Sequence, residues 1–338
     1  MRAVLYDRYG PPEVLTLHEI ERPFPRENEL LIRVYAGAVN FGDLTARKFN
    51  TISPREFHMP MPLWLPARLS FGLRKPRNPI LGSELAGEIV EVGTAVREFK
   101  PGDQIFAYTG MKMRANAEYI CIPENALVGL KPSNMSYAGA ASLPYGGLMA
   151  LSLLRKVTIA QGNRVLINGA SGGIGAMALQ LAKHFGAEVT GVCSTPRVDY
   201  VKSLGADYVI DYTREDFTEN GKTYDLIFDI LGKSTFTKCK GSLNPEGVYL
   251  LASFKMGKVW QMLVTSITRR LPGRKNGKRV ICAIAGEDRN DMTLLKDLAE
   301  SGQIKTLIDR TFPLEQTAEA HSYLEKGQKK GSVVLSMD

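Results

Sequence analysis

The segment Gly169-Ala-Ser-Gly-Gly-Ile-Gly175 has the composition and spacing that point most directly to chemistry. It follows Arg164–Asn168, a short apolar run that reads as a strand, and opens the helical pattern Gly173–Phe185. Strand, glycine turn and helix in that order are the context a dinucleotide fingerprint requires. Gly172 and Gly173 lack a Cβ, so the backbone can approach a pyrophosphate, and Gly175 lets the helix lie close to the sheet. Free N–H groups at the helix start and the positive end of its dipole favour a bound anion. Ser171, Gly172, Gly173, Ile174 and Gly175 are therefore the expected contacts; the alternative is a tight turn with only a structural purpose.

The next strand discriminates between cofactors. NAD sites usually place an Asp or Glu about 20 residues beyond the turn to bind the ribose 2′-hydroxyl. Here that strand ends Val192-Cys-Ser-Thr-Pro-Arg197, with no acid at its tip. Ser194 can donate to a 2′-phosphate and Arg197 can pair with its charge, so NADPH is expected over NADH. The competing reading of Arg197 is a solvated cation at a helix start.

These residues need elements to hold them. From Pro132 onward, short apolar runs alternate with helical patterns: strands at 164–168, 188–193, 208–211, 224–230 and 248–252, and helices at 173–185 and 197–204. That alternation implies a parallel sheet covered on both faces. The first 125 residues read instead as strands and turns, among them Leu30–Val39, Glu88–Val92 and the turn Lys100-Pro-Gly-Asp103. Ser53–Pro79, rich in proline, reads as a long irregular excursion. With 44% apolar and 23% charged residues, disorder is excluded and about two domains are expected.

Several motifs give the chain a family resemblance over nearly its whole length. They are Gly37-Ala-Val-Asn-Phe-Gly-Asp43, Pro79-Ile-Leu-Gly-Ser-Glu through Val92-Gly93, Lys100-Pro-Gly-Asp-Gln-Ile-Phe106, the glycine turn, Leu204-Gly-Ala-Asp-Tyr-Val-Ile-Asp-Tyr212, and the ending from Ile308 to Leu335. The sequence resembles the medium-chain dehydrogenase/reductase superfamily, specifically its zinc-free quinone oxidoreductase branch. The resemblance implies an α/β fold: a GroES-like β-rich catalytic domain from residues 1–127 and 305–338, and a Rossmann doubly wound parallel-sheet NADPH-binding domain from 128–304. It places Tyr212 beside the adenosine 2′-phosphate and counts Leu231 among the cofactor contacts.

Zinc alcohol dehydrogenases of this superfamily place a Cys where this chain has Asn40 and a His where it has Ser83. Asn and Ser are poor zinc ligands beside thiolate and imidazole. The four-cysteine lobe is absent, and the histidines show no ligand spacing; His184 and His321 read as surface or boundary residues of helices. No zinc is expected. Without a Lewis acid, alcohol oxidation is poorly supported; hydride delivery from NADPH to a quinone or an α,β-unsaturated carbonyl is the expected reaction. The resemblance makes Asn40 the candidate contact to substrate and nicotinamide, as an oxyanion stabiliser or else a purely structural cap, with Asp43 a weaker candidate that fixes the loop. One departure stands out: the family's Leu-Pro-x-x-Gly-Leu-Thr-Ala reads Leu143-Pro-Tyr-Gly-Gly-Leu-Met-Ala150, with Met149 for the hydroxyl. A short-chain reductase is excluded by order, because its Tyr-x-x-x-Lys spacing occurs only at Tyr108–Lys112, upstream of the turn.

Charge is distributed unevenly. The formal net charge is +8, but residues 255–286 carry +8 and residues 44–83 carry +6, leaving −6 over the rest. Each segment holds one of the two tryptophans, Trp64 and Trp260. Val259–Leu271 reads as a helix ending in bases. Both segments are read either as apolar faces buried in the subunit or a homodimer interface, or as an amphipathic lip for lipophilic substrates or an anionic membrane. The alternative for the whole protein is a nucleic-acid- or membrane-associated protein on the same fold with little reductase activity, although no nucleic-acid module is present and nucleic acid is not the expected partner. Scattered cysteines, no secretory run at the N-terminus and the charges interrupting Leu250–Ile267 make a cytoplasmic protein the expectation.

Overall fold

The computed structural model describes residues 1–49, 61–252, 262 and 277–337. They fall into two compact units, one formed by the described residues up to Tyr145 together with those from Asp288 onward, the other by Gly146–Glu287.

In the first unit, strands β1 (Arg2–Leu5) and β2 (Thr16–Glu19) form an antiparallel pair. A larger sheet is built on β3 (Glu29–Val39), flanked by β4 (Glu84–Val92), β5 (Gln104–Tyr108), β6 (Tyr119–Pro123) and β7 (Leu127–Leu130). Leu30, Ile32, Leu85, Ile89 and Ile105 point into one core, as strand alternation demands. Helix α1 (Phe41–Arg47) follows β3 directly, and α2 (Met61–Phe71) lies where the sequence reads as irregular. That expectation was incomplete. Two prolines argue against a helix, yet Trp64 and Phe71 stack on or beside the buried Phe49 at centroid distances of 4.9 and 4.3 Å. Tertiary burial of aromatic rings outweighs a poor local propensity. Helix α3 (Tyr137–Ala141) and the start of α4 (Pro144–Leu154) complete this part of the chain.

The second unit is a six-stranded parallel sheet of β8 (Arg164–Asn168), β9 (Glu188–Cys193), β10 (Tyr208–Asp211), β11 (Tyr224–Asp229), β12 (Leu243–Leu251) and β13 (Arg279–Cys282). Its spatial order is β10-β9-β8-β11-β12-β13. Numbered within the unit this is 3-2-1-4-5-6, the doubly wound order, which reverses direction at β8. Val165, Leu166, Ile167, Ile227 and Phe228 are completely buried, as befits strands covered on both faces. Helix α5 (Gly173–His184) follows β8, α6 (Val198–Ser203) follows β9, and the short α7 (Phe236–Cys239) precedes β12. The helical stretch expected at 197–204 begins as a 3₁₀ turn, Thr195–Arg197, because Pro196 fits a first turn.

The chain then returns to the first unit through α8 (Asn290–Glu300), β14 (Ile308–Pro313), α9 (Thr317–Glu325) and β15 (Ser332–Ser336). Strand β15 pairs antiparallel with β3, placing Val334 opposite Ala38. No helix among the described residues is long and apolar enough to cross a membrane. The expected helix Val259–Leu271, with Trp260 and bases Lys255, Lys258, Arg269, Arg270, Arg274 and Lys275, lies outside the described residues apart from Met262, as do Arg55 and His58.

Candidate active site

The glycine turn joins β8 to α5 at the point where the sheet order reverses. Gly175 is required by packing: a Cβ there would sit 2.1 Å from the Gly169 carbonyl oxygen. Gly173 is different, since a Cβ would meet nothing within 4 Å. The fold does not need glycine at 173, whereas a ligand backed against the turn does. Gly172 is the N-cap of α5 and offers no side chain to its first N–H groups, which also lack intrahelical acceptors. The turn therefore has the shape and unsatisfied donors that a pyrophosphate fits.

Side chains from the neighbouring strand ends frame the turn. Arg197 Nη1 lies 3.5 Å from Ser171 Oγ, so the guanidinium reaches the glycine turn. Ser194, half-buried, caps the 3₁₀ turn that carries Arg197. Tyr212, 58% exposed, follows β10 and donates its backbone N–H to the Cys193 carbonyl, which keeps the two strand ends together. Leu231 covers the start of the turn, where a Cβ on Gly169 would come within 2.9 Å of its Cγ. Ile174 is half-buried on the first turn of α5. The structure thus gathers Ser171, Gly172, Gly173, Ile174, Gly175, Ser194, Arg197, Tyr212 and Leu231 around the carboxyl ends of β8 to β11.

Two carboxylates here escaped the sequence reading. Asp229, fully buried, accepts from Asn168 Nδ2, the Gly232 and Ser234 N–H groups and the Tyr249 hydroxyl, at 2.7–3.1 Å. It thereby fixes the loop that holds Leu231. Asp211 ends β10 opposite Cys193 and accepts from the Thr195 and Thr213 hydroxyls. Those bonds, with Arg214 nearby, hold its carboxyl below the usual carboxylate range. Their only sequence signal was an acid at the end of an apolar strand.

The first unit holds a second polar cluster. Asn40 is the N-cap of α1: its Oδ1 accepts from the Gly42 and Asp43 N–H groups, and Asp43 Oδ2 accepts from the Asn40 N–H at 2.9 Å, forming a capping box. The Asn40 amide also donates to Ser83 Oγ at 2.8 Å and Glu84 Oε2 at 2.9 Å. Glu84 Oε1 accepts the Tyr145 backbone N–H at 2.8 Å. Every hydrogen-bonding group of the Asn40 side chain is engaged. Burial pushes the Glu84 carboxyl up to about 8, with the nearby Asp43 charge adding to the shift and the bonds from Asn40 and Tyr145 opposing it. Burial likewise raises Asp43 to about 7, against the Asn40 bond; its Oδ1 makes no hydrogen bond. Two buried carboxyls thus retain protons into the neutral range. Met149, half-buried on α4, belongs to the other unit.

A zinc ion does not fit these residues. The amide nitrogen of Asn40 offers no lone pair and donates both hydrogens, while Ser83 offers a neutral hydroxyl in place of imidazole. Among the described residues, no three His, Cys, Asp or Glu side chains converge to hold a metal. His184 is exposed on α5. His321 corrects the expectation of a surface or boundary residue: it is 0% exposed, and neither ring nitrogen has a partner. Burial, followed by the charges of Arg47 and Lys48, lowers it to about 3.

Comparison with known proteins agrees with this architecture. Residues 26–152 match the alcohol dehydrogenase GroES-like domain family, and residues 204–335 the family described as zinc-binding dehydrogenase. The chain is 32% identical to the mitochondrial NAD(P)H oxidoreductase RTN4IP1 of Mus musculus, covering all of this chain and 89% of that protein. It is equally identical to the 2-methylene-furan-3-one reductase of Solanum lycopersicum, covering 99% of this chain and 79% of that one. The quinone oxidoreductase structure from Coxiella burnetii superposes with a TM-score of 0.82 at 27% identity, covering 100% and 99% of the two chains. A GroES-like domain and a doubly wound sheet in one chain define a medium-chain dehydrogenase/reductase. This chain belongs to that superfamily, in its zinc-free quinone oxidoreductase branch.

Proposed function

We propose that the protein is a zinc-independent oxidoreductase that uses NADPH to reduce quinones or α,β-unsaturated carbonyl compounds. The observation that carries this is the coexistence of a glycine turn open at Gly173 and a polar cluster built from an amide, a hydroxyl and carboxyls, with no thiolate or imidazole. Relatives named as a 2-methylene-furan-3-one reductase and a quinone oxidoreductase support the substrate class. Residues 128–304 are assigned to cofactor binding, and 1–127 with 305–338 to catalysis.

Gly172, Gly173 and Gly175, with the first N–H groups of α5, would hold the pyrophosphate, while Ser194, Arg197 and Tyr212 would receive the 2′-phosphate. When bound, the cofactor supplies a hydride. Asn40 is assigned the substrate oxygen, which its amide reaches by exchanging the neutral Ser83 bond while keeping Glu84. A carbon already electrophilic needs only such a hydrogen bond as negative charge develops on oxygen, whereas an alkoxide would need more. The proposed substrates are small and lipophilic, and the proposed working form is a cytoplasmic homodimer whose cationic segments contact anionic membrane.

The test is NADPH consumption against a panel of quinones, 2-alkenals and ring enones, with products identified. Turnover of at least one class, insensitive to zinc chelation, is expected. Oxidation of simple alcohols with none of the panel reduced would overturn the assignment.

A further inference from the structure

We propose that the outward ridge of α2 and the basic turn after it form the surface that docks on an anionic lipid bilayer. This rests on the membrane-contact reading above but not on the reductase assignment. Helix α2 has two dissimilar faces. Trp64, Arg68 and Phe71 recur at helical spacing and turn inward: Trp64 and Phe71 meet Phe49, and Arg68 donates to the Phe49 and Leu73 carbonyls at 3.0 Å. The Tyr9 hydroxyl closes the end of the helix, donating to the Phe71 and Gly72 carbonyls at 2.8 and 2.9 Å. These contacts hold α2 to the first unit by one face.

The other face is apolar and open. Leu65 and Leu69, four residues apart on α2, are 59% and 45% exposed, and Leu73, two residues past the end of the helix, is 53% exposed. An exposed leucine row on a docked helix is not explained by folding, and such rows mark interaction sites. The chain turns at Gly72, where Arg77 donates its N–H to the Phe71 carbonyl, and so brings the exposed Arg74, Lys75 and Arg77 to the C-terminal end of that row. Residues 61–83 contain these three bases and Arg68 but no acid.

Charge complementarity selects the occupant. An apolar ridge beside cations is the pattern that lies in a bilayer interface, the leucines entering the acyl boundary and the cations meeting acidic headgroups. A nucleic acid would use exposed aromatic rings, but Trp64 and Phe71 face inward. A second copy seated by the same face would offer Arg74, Lys75 and Arg77 no acid, because residues 61–83 contain none.

The test is co-sedimentation of the full chain with phosphatidylcholine vesicles and with vesicles also containing phosphatidylserine, at low and high salt. Each cation at an anionic leaflet is worth about a fivefold gain in partitioning. Wild type is therefore expected to prefer the anionic vesicles, losing at least about a hundredfold when Arg74, Lys75 and Arg77 are all changed to Glu. A separate Leu65→Asn, Leu69→Asn variant should lose at least about tenfold. Thermal melting and turnover of a water-soluble substrate report whether each variant is folded. Wild type that ignores anionic lipid defeats the membrane reading itself. Anionic binding that survives either set of substitutions defeats the assignment to this face. Sedimentation velocity showing a dimer lost in the leucine variant, without lipid binding, assigns the ridge to a second copy and overturns the proposal.

Discussion

At the scale of single residues, cofactor choice turns on what stands at the strand end beyond the glycine turn. Arg197 reaches the glycine turn and Ser194 stands at the tip of β9, where a carboxylate would repel a 2′-phosphate. Hydrogen bonds to charged groups contribute about 1.5–3 kcal/mol, so Ser194→Ala with Arg197→Ala is expected to raise the KM for NADPH by about 10- to 100-fold. The KM for NADH should change little, and an equal rise for both cofactors would refute the phosphate role. Glu84 makes a different kind of prediction. Its carboxyl is raised to about 8, so the folded protein keeps a proton that the unfolded chain has already lost. Folding stability must then fall as pH climbs from the ordinary carboxylate range towards 8. Glu84→Gln removes that dependence. Its stability relative to wild type should rise by about 2–4 kcal/mol between about pH 5 and pH 9, read from denaturant midpoints at each pH. The link from Asn40 to Glu84 and Tyr145 was not legible beforehand, since the partners are 44 and 61 residues apart in sequence. Asn40 with Asp43, three residues apart, was legible as a cap because a capping box is local.

At the scale of elements, legibility follows how each element is stabilised. The parallel strands β8 to β12 and helix α5 announced themselves because burial on both faces demands unbroken apolar runs, and the glycine turn lies between two of them. Helix α2 did not, because its prolines speak for a loop and its anchor, Phe49, lies outside it. The strand–turn–helix element offers a test of which glycines serve the fold and which serve the ligand. Gly173→Ala adds a methyl group to open space, so melting temperature should hardly change while the KM for NADPH rises about tenfold or more, as expected when backbone approach to a pyrophosphate is blocked. Gly175→Ala drives its Cβ into the Gly169 carbonyl and the Ala170 Cα, both backbone atoms. That variant should lose stability by about 1–3 kcal/mol, in the range of overpacked sites. If both variants melted like wild type, the division of labour within the turn would be wrong.

At the scale of the whole molecule, charge placement matters more than the net +8. The basic stretch 44–83 is not uniformly solvated: Arg47 is completely buried, donating to the Gly10 carbonyl and pairing with Glu325 on α9. Lys48 shares that carboxylate at 2.6 Å, so helices from opposite ends of the chain are clasped by one acid and two bases. His321 lies on the same helix, α9, neutral and without hydrogen-bond partners. Burial, with the nearby positive charges adding to it, explains why it resists protonation: an imidazolium would lose its water and face Arg47 and Lys48. The unfolded chain protonates this histidine below its ordinary value of 6.5, but the folded protein does so only near 3. Below 6.5 the unfolded state therefore binds the extra proton, and stability falls as pH falls, opposite in sign to the effect of Glu84. At about pH 5 the penalty is about 2 kcal/mol, from the 1.36 kcal/mol that each pH unit below 6.5 contributes. His321→Leu keeps the apolar volume and removes the titrating group. Its stability advantage over wild type should be about 2 kcal/mol larger at about pH 5 than at about pH 8. A constant difference across that range would mean that the ring finds water and a proton in the folded state, and that the clasp around Glu325 is open to solvent.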